Sequence, residues 1–197
     1  AMEYFNDCNI AAAARSDIKF VGSTRSKIAF VEFACSDQSV CSATAAARGL
    51  SYLRLTKEYS DLTTREGLDK ALGEVKKLAQ NGKIIELWAS LPCKPWTKWS
   101  VFNAWKLGRK FRARLAAQRA ESLVMIDHFI ELANYILDMC PGSHVSFEWP
   151  SYCVGWGVDK LGEFFTDRSF KFVKCDGCAV GLTGNDGNRI KKPWTIA

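Results

Sequence analysis

Short apolar runs alternate along the chain with longer segments that have a helical periodicity. The runs are rich in aliphatic and aromatic residues and have the length of buried strands. They lie at residues 27–34, 52–55, 83–88, 145–148 and 170–173. A last apolar segment at 194–196 predicts an edge strand.

Helical patterns fill the segments between these runs. Residues 39–49 are alanine-rich and end in a glycine, which is a frequent helix stop. The sequence Thr63-Thr64-Arg65-Glu66 resembles a capping box, and it precedes an apolar helical face formed by Leu68, Leu72, Val75 and Leu78. Further helices are predicted at 106–139 and 161–165, and a turn-rich loop at 181–187.

This alternation of strands and helices predicts a three-layer α/β fold with a mainly parallel, Rossmann-like sheet. The weakly patterned residues 1–26 form an N-terminal extension in this interpretation, and residues 27–197 form the domain. With 48% hydrophobic and 24% charged residues, the chain has the composition of an ordinary folded domain. No apolar stretch reaches the ~20 residues that cross a bilayer, so no membrane partner is expected.

Eight cysteines occur in the sequence. A chain of this length and apolar content does not need disulfide staples, so we expect reduced thiols and a nuclear or cytoplasmic protein. Cys175 and Cys178 form a single C-x-x-C pair. Because a structural zinc site needs a second pair at suitable spacing, no metal is expected.

The formal net charge is +6, and its excess is concentrated in one segment. No acidic residue interrupts the cations Lys106, Arg109, Lys110, Arg112, Arg114 and Arg119. Such a run is either a solvated helix face or a contact for a phosphate-rich partner. The positive total favours nucleic acid as that partner.

Pro92 and Cys93 follow the third predicted strand directly, at a position where open α/β sheets often hold reactive groups. The loop continues to Ser100 with two lysines and two tryptophans, which attract anions and offer flat surfaces for stacking. A cysteine here is either a packed structural thiol or, beside cations, a nucleophile. Trp96 and Trp99 either stack on a base or fill the core.

Acidic residues follow three other strands, and the carboxyl ends of parallel strands share one edge of the sheet. Glu32 belongs to the end of the first strand, Glu58 follows the second and Glu148 ends the fourth. Glu58 is placed to hold ribose hydroxyls of a nucleoside cofactor, or it is a solvated turn carboxylate. Glu148 lies between two aromatic residues, so it is either a proton donor whose pKa is raised by desolvation or a salt-bridge partner.

Taken in order, these motifs resemble S-adenosylmethionine-dependent methyltransferases, specifically the cytosine-5 methyltransferases of DNA and tRNA. The sequence Phe30-Val31-Glu32-Phe33-Ala34-Cys35 resembles the cofactor-loop strand, and Leu91-Pro92-Cys93-Lys94-Pro95-Trp96-Thr97 resembles the nucleophile loop. Phe147-Glu148-Trp149 matches the Glu-Asn-Val segment at the glutamate, and residues 187–196 resemble the Gln-x-Arg-x-Arg stretch. The Glu-Trp-Pro and Lys-Lys-Pro-Trp sequences also resemble methyltransferase-like domains inside retroelement polyproteins.

The resemblance implies a Rossmann-like methyltransferase fold and S-adenosylmethionine as cofactor. It implies that the Cys93 thiolate attacks carbon 6 of a flipped-out cytosine, that Glu148 binds the ring edge and that Arg189 orients the base or its phosphate. The implied cofactor contacts are Glu32, Phe33, Ala34, Cys35, Ser36, Glu58, Asp61 and Pro92. The implied nucleic-acid contacts are Trp96, Lys98, Trp99, Lys106, Arg109, Lys110, Arg112, Arg114 and Lys191.

The chain departs from this family in three respects. Residues 34–39 contain no glycine where the family brings its backbone close to the cofactor. Glu58 and Asp61 are so close that the usual third strand and its helix are compressed or missing. No target-recognition segment follows Arg189, so sequence choice is expected to need another domain or a protein partner. Two alternatives are a degenerate methyltransferase fold that binds nucleic acid without catalysis, and a structural or assembly domain of a polyprotein.

Overall fold

A seven-stranded mixed sheet forms the centre of the computed structural model, which describes residues 20–21 and 26–197. The strands are β1 (Phe20–Val21), β2 (Ile28–Phe33), β3 (Ser51–Leu55), β4 (Ile84–Ala89), β5 (His144–Pro150), β6 (Val173–Asp176) and β7 (Pro193–Ile196). Their order across the sheet is β1-β3-β2-β4-β5-β7-β6. The four strands β3, β2, β4 and β5 are parallel, whereas β1, β7 and β6 pair with their neighbours in antiparallel orientation.

Among the described residues, five α-helices connect these strands. They are α1 (Val40–Ala47), α2 (Arg65–Gln80), α3 (Lys98–Lys106), α4 (Gly108–Met139) and α5 (Asp159–Asp167). Short 3-10 turns lie at Lys94–Trp96, Val154–Gly157 and Gly177–Val180. Within the described part of the chain, no helix combines the length and the apolar character that a membrane span requires.

The helices lie on both faces of the sheet, but unequally. Val31 and Phe33 of β2 point into a core that includes Leu68 and Val75 of α2 and Ile126 of α4. Because side chains alternate along a strand, the residues between them face the opposite side. There Glu32 accepts hydrogen bonds from Ser39 and Ser42, which places α1 on that second face.

Aromatic side chains fill the core below β5. Phe147 is fully buried, and its ring centroid lies 4.9 Å from that of Trp149 and 5.1 Å from that of Phe129. Phe165 of α5 and Trp156 contact the same ring, each at 5.6 Å. Edge-to-face contacts of this kind add stabilisation beyond the area that they bury, so this cluster holds α4 and α5 against β5.

The direction in which the chain crosses the sheet reverses at β2. From β2 the chain passes to β3 on one side, and after α2 it returns to β4 on the other side. The predicted α/β fold with a mostly parallel sheet is therefore confirmed, and its order is compatible with a Rossmann-like arrangement. Beyond β3, where a further parallel strand would extend such a sheet, lies the two-residue β1.

Several predicted boundaries are corrected by the structure. The helix predicted over 106–139 is α4 and starts at Gly108, whose left-handed conformation with φ +71° separates it from α3, which was not predicted and ends at Lys106. The strand predicted over 170–173 starts only at Val173, since Phe170 packs against Phe164 and Phe165 instead. The predicted edge strand is β7, which lies between β5 and β6, and β1 comes from the predicted extension.

Helix α2 begins where its capping motif was predicted, with Thr64 accepting a hydrogen bond from the amide of Gly67. A Cβ at Gly67 would lie 2.0 Å from the carbonyl oxygen of Asp61, whereas a Cβ at Gly73 of the same helix would meet no atom within 4 Å. Only a glycine therefore allows the segment around Asp61 to approach the start of α2.

Alanine should have opposite effects at these two glycines. We expect Gly67→Ala to lower the free energy of unfolding by about 2 kcal/mol or more, because backbone atoms must move. Gly73→Ala should raise it by about 0.5–1 kcal/mol through helix propensity. Urea unfolding of both variants checks this; equal effects would contradict the close approach at Gly67.

Candidate functional site

The carboxyl end of β2 is shaped by an unusual backbone conformation at Ala34. Its φ is +59°, in the left-handed region that favours glycine. An alanine in this conformation costs about 1 kcal/mol or more. Ala34 stands at the start of the predicted cofactor loop, so the chain follows a glycine-like path there without a glycine.

A cavity of about 210 Å³ opens beside Ala34, on the face of the sheet that packs against α4. The residues that line it come from the ends of β2 and β3, the loop after β4, and α4. They include four of the predicted cofactor contacts, namely Ala34, Cys35, Asp61 and Pro92. The cavity lies at the point where the chain reverses direction, which is where open α/β sheets bind ligands.

Two titratable groups of this cavity, Asp61 and Cys35, have shifted pKa values. Asp61 accepts hydrogen bonds from the hydroxyl of Thr63 at 2.6 Å and from its amide at 3.0 Å, and both lower the pKa of Asp61. Asp61 is therefore a carboxylate at neutral pH. Burial, together with the charge of Glu32, raises the pKa of Cys35 to about 12, so this thiol stays protonated.

Four of the eight predicted cofactor contacts lie outside the cavity wall. Glu32 is buried, and its carboxylate accepts hydrogen bonds from the Ser39 hydroxyl at 2.5 Å and from the Ser42 amide at 3.1 Å. It therefore fixes the N-terminus of α1, where a negative charge is stabilising. Phe33 is fully buried in the core. Ser36 and Glu58 are exposed and do not belong to the cavity wall.

Two buried tryptophans fasten the loop that carries Cys93. The indole N–H of Trp149 donates to the carbonyl oxygen of Leu91 at 2.8 Å, and that of Trp96 donates to the Ser122 hydroxyl at 2.8 Å. Arg119 lies over the Trp96 ring and donates to the carbonyl of Pro95 at 3.1 Å. The loop is thus bound to both β5 and α4.

Cys93 itself is half-buried and packs against the core, while the adjacent Pro92 lines the cavity. Its neighbour is the buried Cys153. Burial raises the pKa of Cys153 to about 11, and the charge of Cys93 adds to that rise. Both cysteines are free thiols in the structure.

Glu148 lies within β5 rather than at its tip, since the strand continues to Pro150. Burial raises the pKa of its carboxyl group, while Lys192 and a hydrogen bond with Ser90 act in the opposite direction. The indole of Trp88 donates to the same Ser90 hydroxyl at 2.9 Å. Because side chains alternate along β5, Glu148 points away from the core that contains Phe147 and Trp149.

Arg189 lies in the loop between β6 and β7, where its backbone forms an isolated bridge with Thr183. The loop rises at the same edge of the sheet as Cys93, because Asp176 of β6 and Pro193 of β7 are paired there. Lys191 lies 3.8 Å from Asp176. The structure thus places Cys93, Glu148 and Arg189 along one edge, and it shows no hydrogen bond among them in the described residues.

The predicted nucleic-acid contacts divide into one buried and many exposed residues. Trp96 is only 8% exposed, so the assignment of this ring as a base contact is wrong, and its role is to fill the core. The remaining predicted contacts are all exposed, namely Lys98, Trp99, Lys106, Arg109, Lys110, Arg112, Arg114 and Lys191.

Sequence reasoning missed several residues of the cavity wall. Lys57 and Leu62 come from the segment between β3 and α2, and Glu121 and Met125 come from α4. The spacing of four between Glu121 and Met125 puts them on one helix face. The sequence pattern did not indicate that this face of α4 points toward the cavity.

Comparison of the chain with protein-family models, with curated proteins and with solved structures gave no match. The structural class of the protein is therefore assigned from its own fold, which is an α/β domain with a mostly parallel sheet and a cavity at the switch point of that sheet. In the described residues, no group of three or more His, Cys, Asp or Glu side chains is arranged to hold a metal ion.

Glu148 should make stability depend on pH in a defined direction. A carboxyl group whose pKa is raised on folding holds its proton more tightly in the folded state, so stability falls as pH rises through that pKa. Glu148→Gln removes this loss. We expect the variant to gain stability over the wild type between pH 4 and pH 8, as measured by urea unfolding.

The exposed Ser36→Ala, which removes no titratable group, serves as the control and should show a nearly constant difference from the wild type across the same range. A Glu148→Gln variant that becomes less stable than the wild type as the pH rises would contradict the assignment.

Proposed function

We propose that the domain transfers a methyl group from S-adenosylmethionine to a cytosine base of DNA or RNA. The observation that carries the proposal is the switch-point cavity, whose wall combines Ala34, Cys35, Asp61 and Pro92 beside the Cys93 loop. These residues belong to the motifs that resemble cytosine-5 methyltransferases.

The cavity has chemistry that suits part of this cofactor. S-adenosylmethionine, when bound, supplies an electrophilic methyl group on a positively charged sulfur. Asp61 and Glu121 give the wall two carboxyl side chains against the single cation Lys57, which favours a ligand with positive charge or ribose hydroxyls. The volume of 210 Å³ is below the roughly 300–1,000 Å³ of ordinary ligand sites, so the remainder of the cofactor would lie over the open edge of the sheet.

Cys93 is the proposed nucleophile. Its sulfur would form a bond to carbon 6 of the base, which makes carbon 5 nucleophilic toward the methyl group. After methylation the proton on carbon 5 leaves to a base, the bond between sulfur and carbon 6 breaks, and the thiolate is regenerated. Glu148 is proposed to bind the ring edge, a role that suits a carboxyl group with a raised pKa because it can donate a proton.

Loss of the thiol should abolish methyl transfer while the fold is kept. We expect Cys93→Ala to reduce transfer of a labelled methyl group to a cytosine-containing oligonucleotide by about a thousandfold or more. The exposed Cys41→Ala is the matched control and should retain activity. Binding of S-adenosylhomocysteine, measured by calorimetry, should persist in Cys93→Ala and weaken in Asp61→Asn; no binding to the wild type at millimolar concentration would refute the proposal.

A second candidate function is a nucleic-acid-binding module without catalysis. The exposed cations of α3 and α4 favour it, because none of those between Lys98 and Arg119 forms an ion pair in the described residues. This function requires the cationic surface and no cofactor, so it survives if S-adenosylhomocysteine does not bind.

Charge reversal on α4 tests the nucleic-acid partner itself. We expect Arg112→Glu with Arg114→Glu to weaken oligonucleotide binding by tenfold or more and to lower the slope of log K against log salt by about two. Lys171→Glu with Lys174→Glu makes the same change of net charge at exposed positions near β6 and should have a smaller effect. Equal losses for the two pairs would show that only net charge matters.

A further inference from the structure

Helix α3 carries a row of exposed aromatic side chains. Trp99 is 73% exposed and Trp105 is 78% exposed, and Phe102 between them is 45% exposed. A spacing of three places them on one side of the helix. The ring centroid of Phe102 lies 5.9 Å from that of Trp99 and 6.0 Å from that of Trp105, so the three rings form one continuous surface.

This aromatic row is held firmly beside the Cys93 loop. Thr97 caps α3 by accepting a hydrogen bond from the Ser100 amide at 3.1 Å. The Ser100 hydroxyl in turn donates to the carbonyl oxygen of Lys94 at 2.6 Å. Because Lys94 follows Cys93 directly, the row is fixed to the edge of the sheet where the cavity opens.

Cations lie at both ends of the aromatic row, since Lys98 precedes Trp99 and Lys106 follows Trp105. No acidic residue lies between Glu86 and Glu121 in the sequence. Lys98 lies over the exposed ring of Tyr152, 5.2 Å from its centroid, which brings the segment after β5 to the same surface. On α4 the cations Arg109, Lys110, Arg112 and Arg114 continue the positive charge for about one and a half turns.

Exposed aromatic rings beside cations that form no ion pair in the described residues favour one class of anionic partner over others. A duplex presents phosphates and groove edges, whereas only unpaired nucleotides expose the faces of their bases for stacking. An anionic bilayer would require a continuous apolar face. On α3 itself the exposed Lys106 lies four residues after Phe102 and seven after Trp99, so its charge falls within the aromatic face.

We propose that α3 and the first half of α4 bind single-stranded nucleic acid, with bases stacked on Trp99, Phe102 and Trp105 and phosphates on the α4 cations. This inference deepens the proposed function by naming the form of its nucleic-acid partner. It rests on that partner and is independent of methyl transfer. A strand held on this surface would lead toward the edge of the sheet that carries Cys93.

Fluorescence anisotropy with a labelled oligonucleotide of about 12 nucleotides, single-stranded or annealed to its complement, tests the proposal. We expect the single strand to bind more tightly than the duplex. Trp99→Ala and Trp105→Ala should each weaken single-strand binding by about tenfold or more and should leave the weaker duplex binding nearly unchanged. Trp105→Phe, which keeps a ring, should retain most of the affinity.

Met139→Ala is the matched control, because Met139 is an apolar residue 62% exposed at the far end of α4 from residues 109–114, and it should bind like the wild type. Equal affinity for both forms, with tryptophan variants that bind like the wild type, would overturn the stacking surface and leave the nucleic-acid partner intact. Failure to bind either form would overturn both. Tighter binding to phosphatidylserine vesicles, lost in the tryptophan variants, would assign the surface to a membrane instead.

Discussion

The hydrogen bond from the Trp149 indole to the carbonyl oxygen of Leu91 is the interaction on which this edge of the molecule depends. It joins the end of β5 to the loop after β4, two segments that the sequence separates by an entire pair of helices. A buried indole N–H without a partner would be costly, so the loop is kept where Trp149 needs it. Gly155 completes the arrangement, since a Cβ there would lie 2.3 Å from the Trp149 ring.

Some polar residues at the same edge form structural hydrogen bonds, and others line the cavity. Glu32 of β2 and Arg54 of β3 lie opposite each other in the strand register, and both side chains bind the segment at the start of α1. The guanidinium of Arg54 donates to the carbonyls of Asp37 at 2.7 Å and Ser39 at 3.0 Å. Asp61 keeps its carboxylate at the cavity wall. A charge at a strand end is therefore not by itself evidence of ligand binding, because helix termini in the same region compete for it.

The parallel strands could be predicted from the sequence, since β2, β4 and β5 are apolar runs whose burial follows directly from their composition. It was also sufficient to gather Ala34, Asp61 and Pro92 at one edge, because topology alone brings strand ends together. It failed for α3, whose exposed aromatics gave no amphipathic pattern, and for Trp96, whose burial depends on Ser122 and Arg119 from a distant helix. Contacts made across the fold decided these residues, and local propensity did not.

The backbone conformation of Ala34 ends the central strand β2 at the open edge of the sheet. A residue with a φ of +59° cannot continue a β-strand, so β2 stops at Phe33, in register with the last residues of β3 and β4, Leu55 and Ala89. The three neighbouring strands therefore end together at the place where the crossover direction reverses. One dihedral angle thus turns the chain off the sheet at Ala34, beside the cavity that this residue lines.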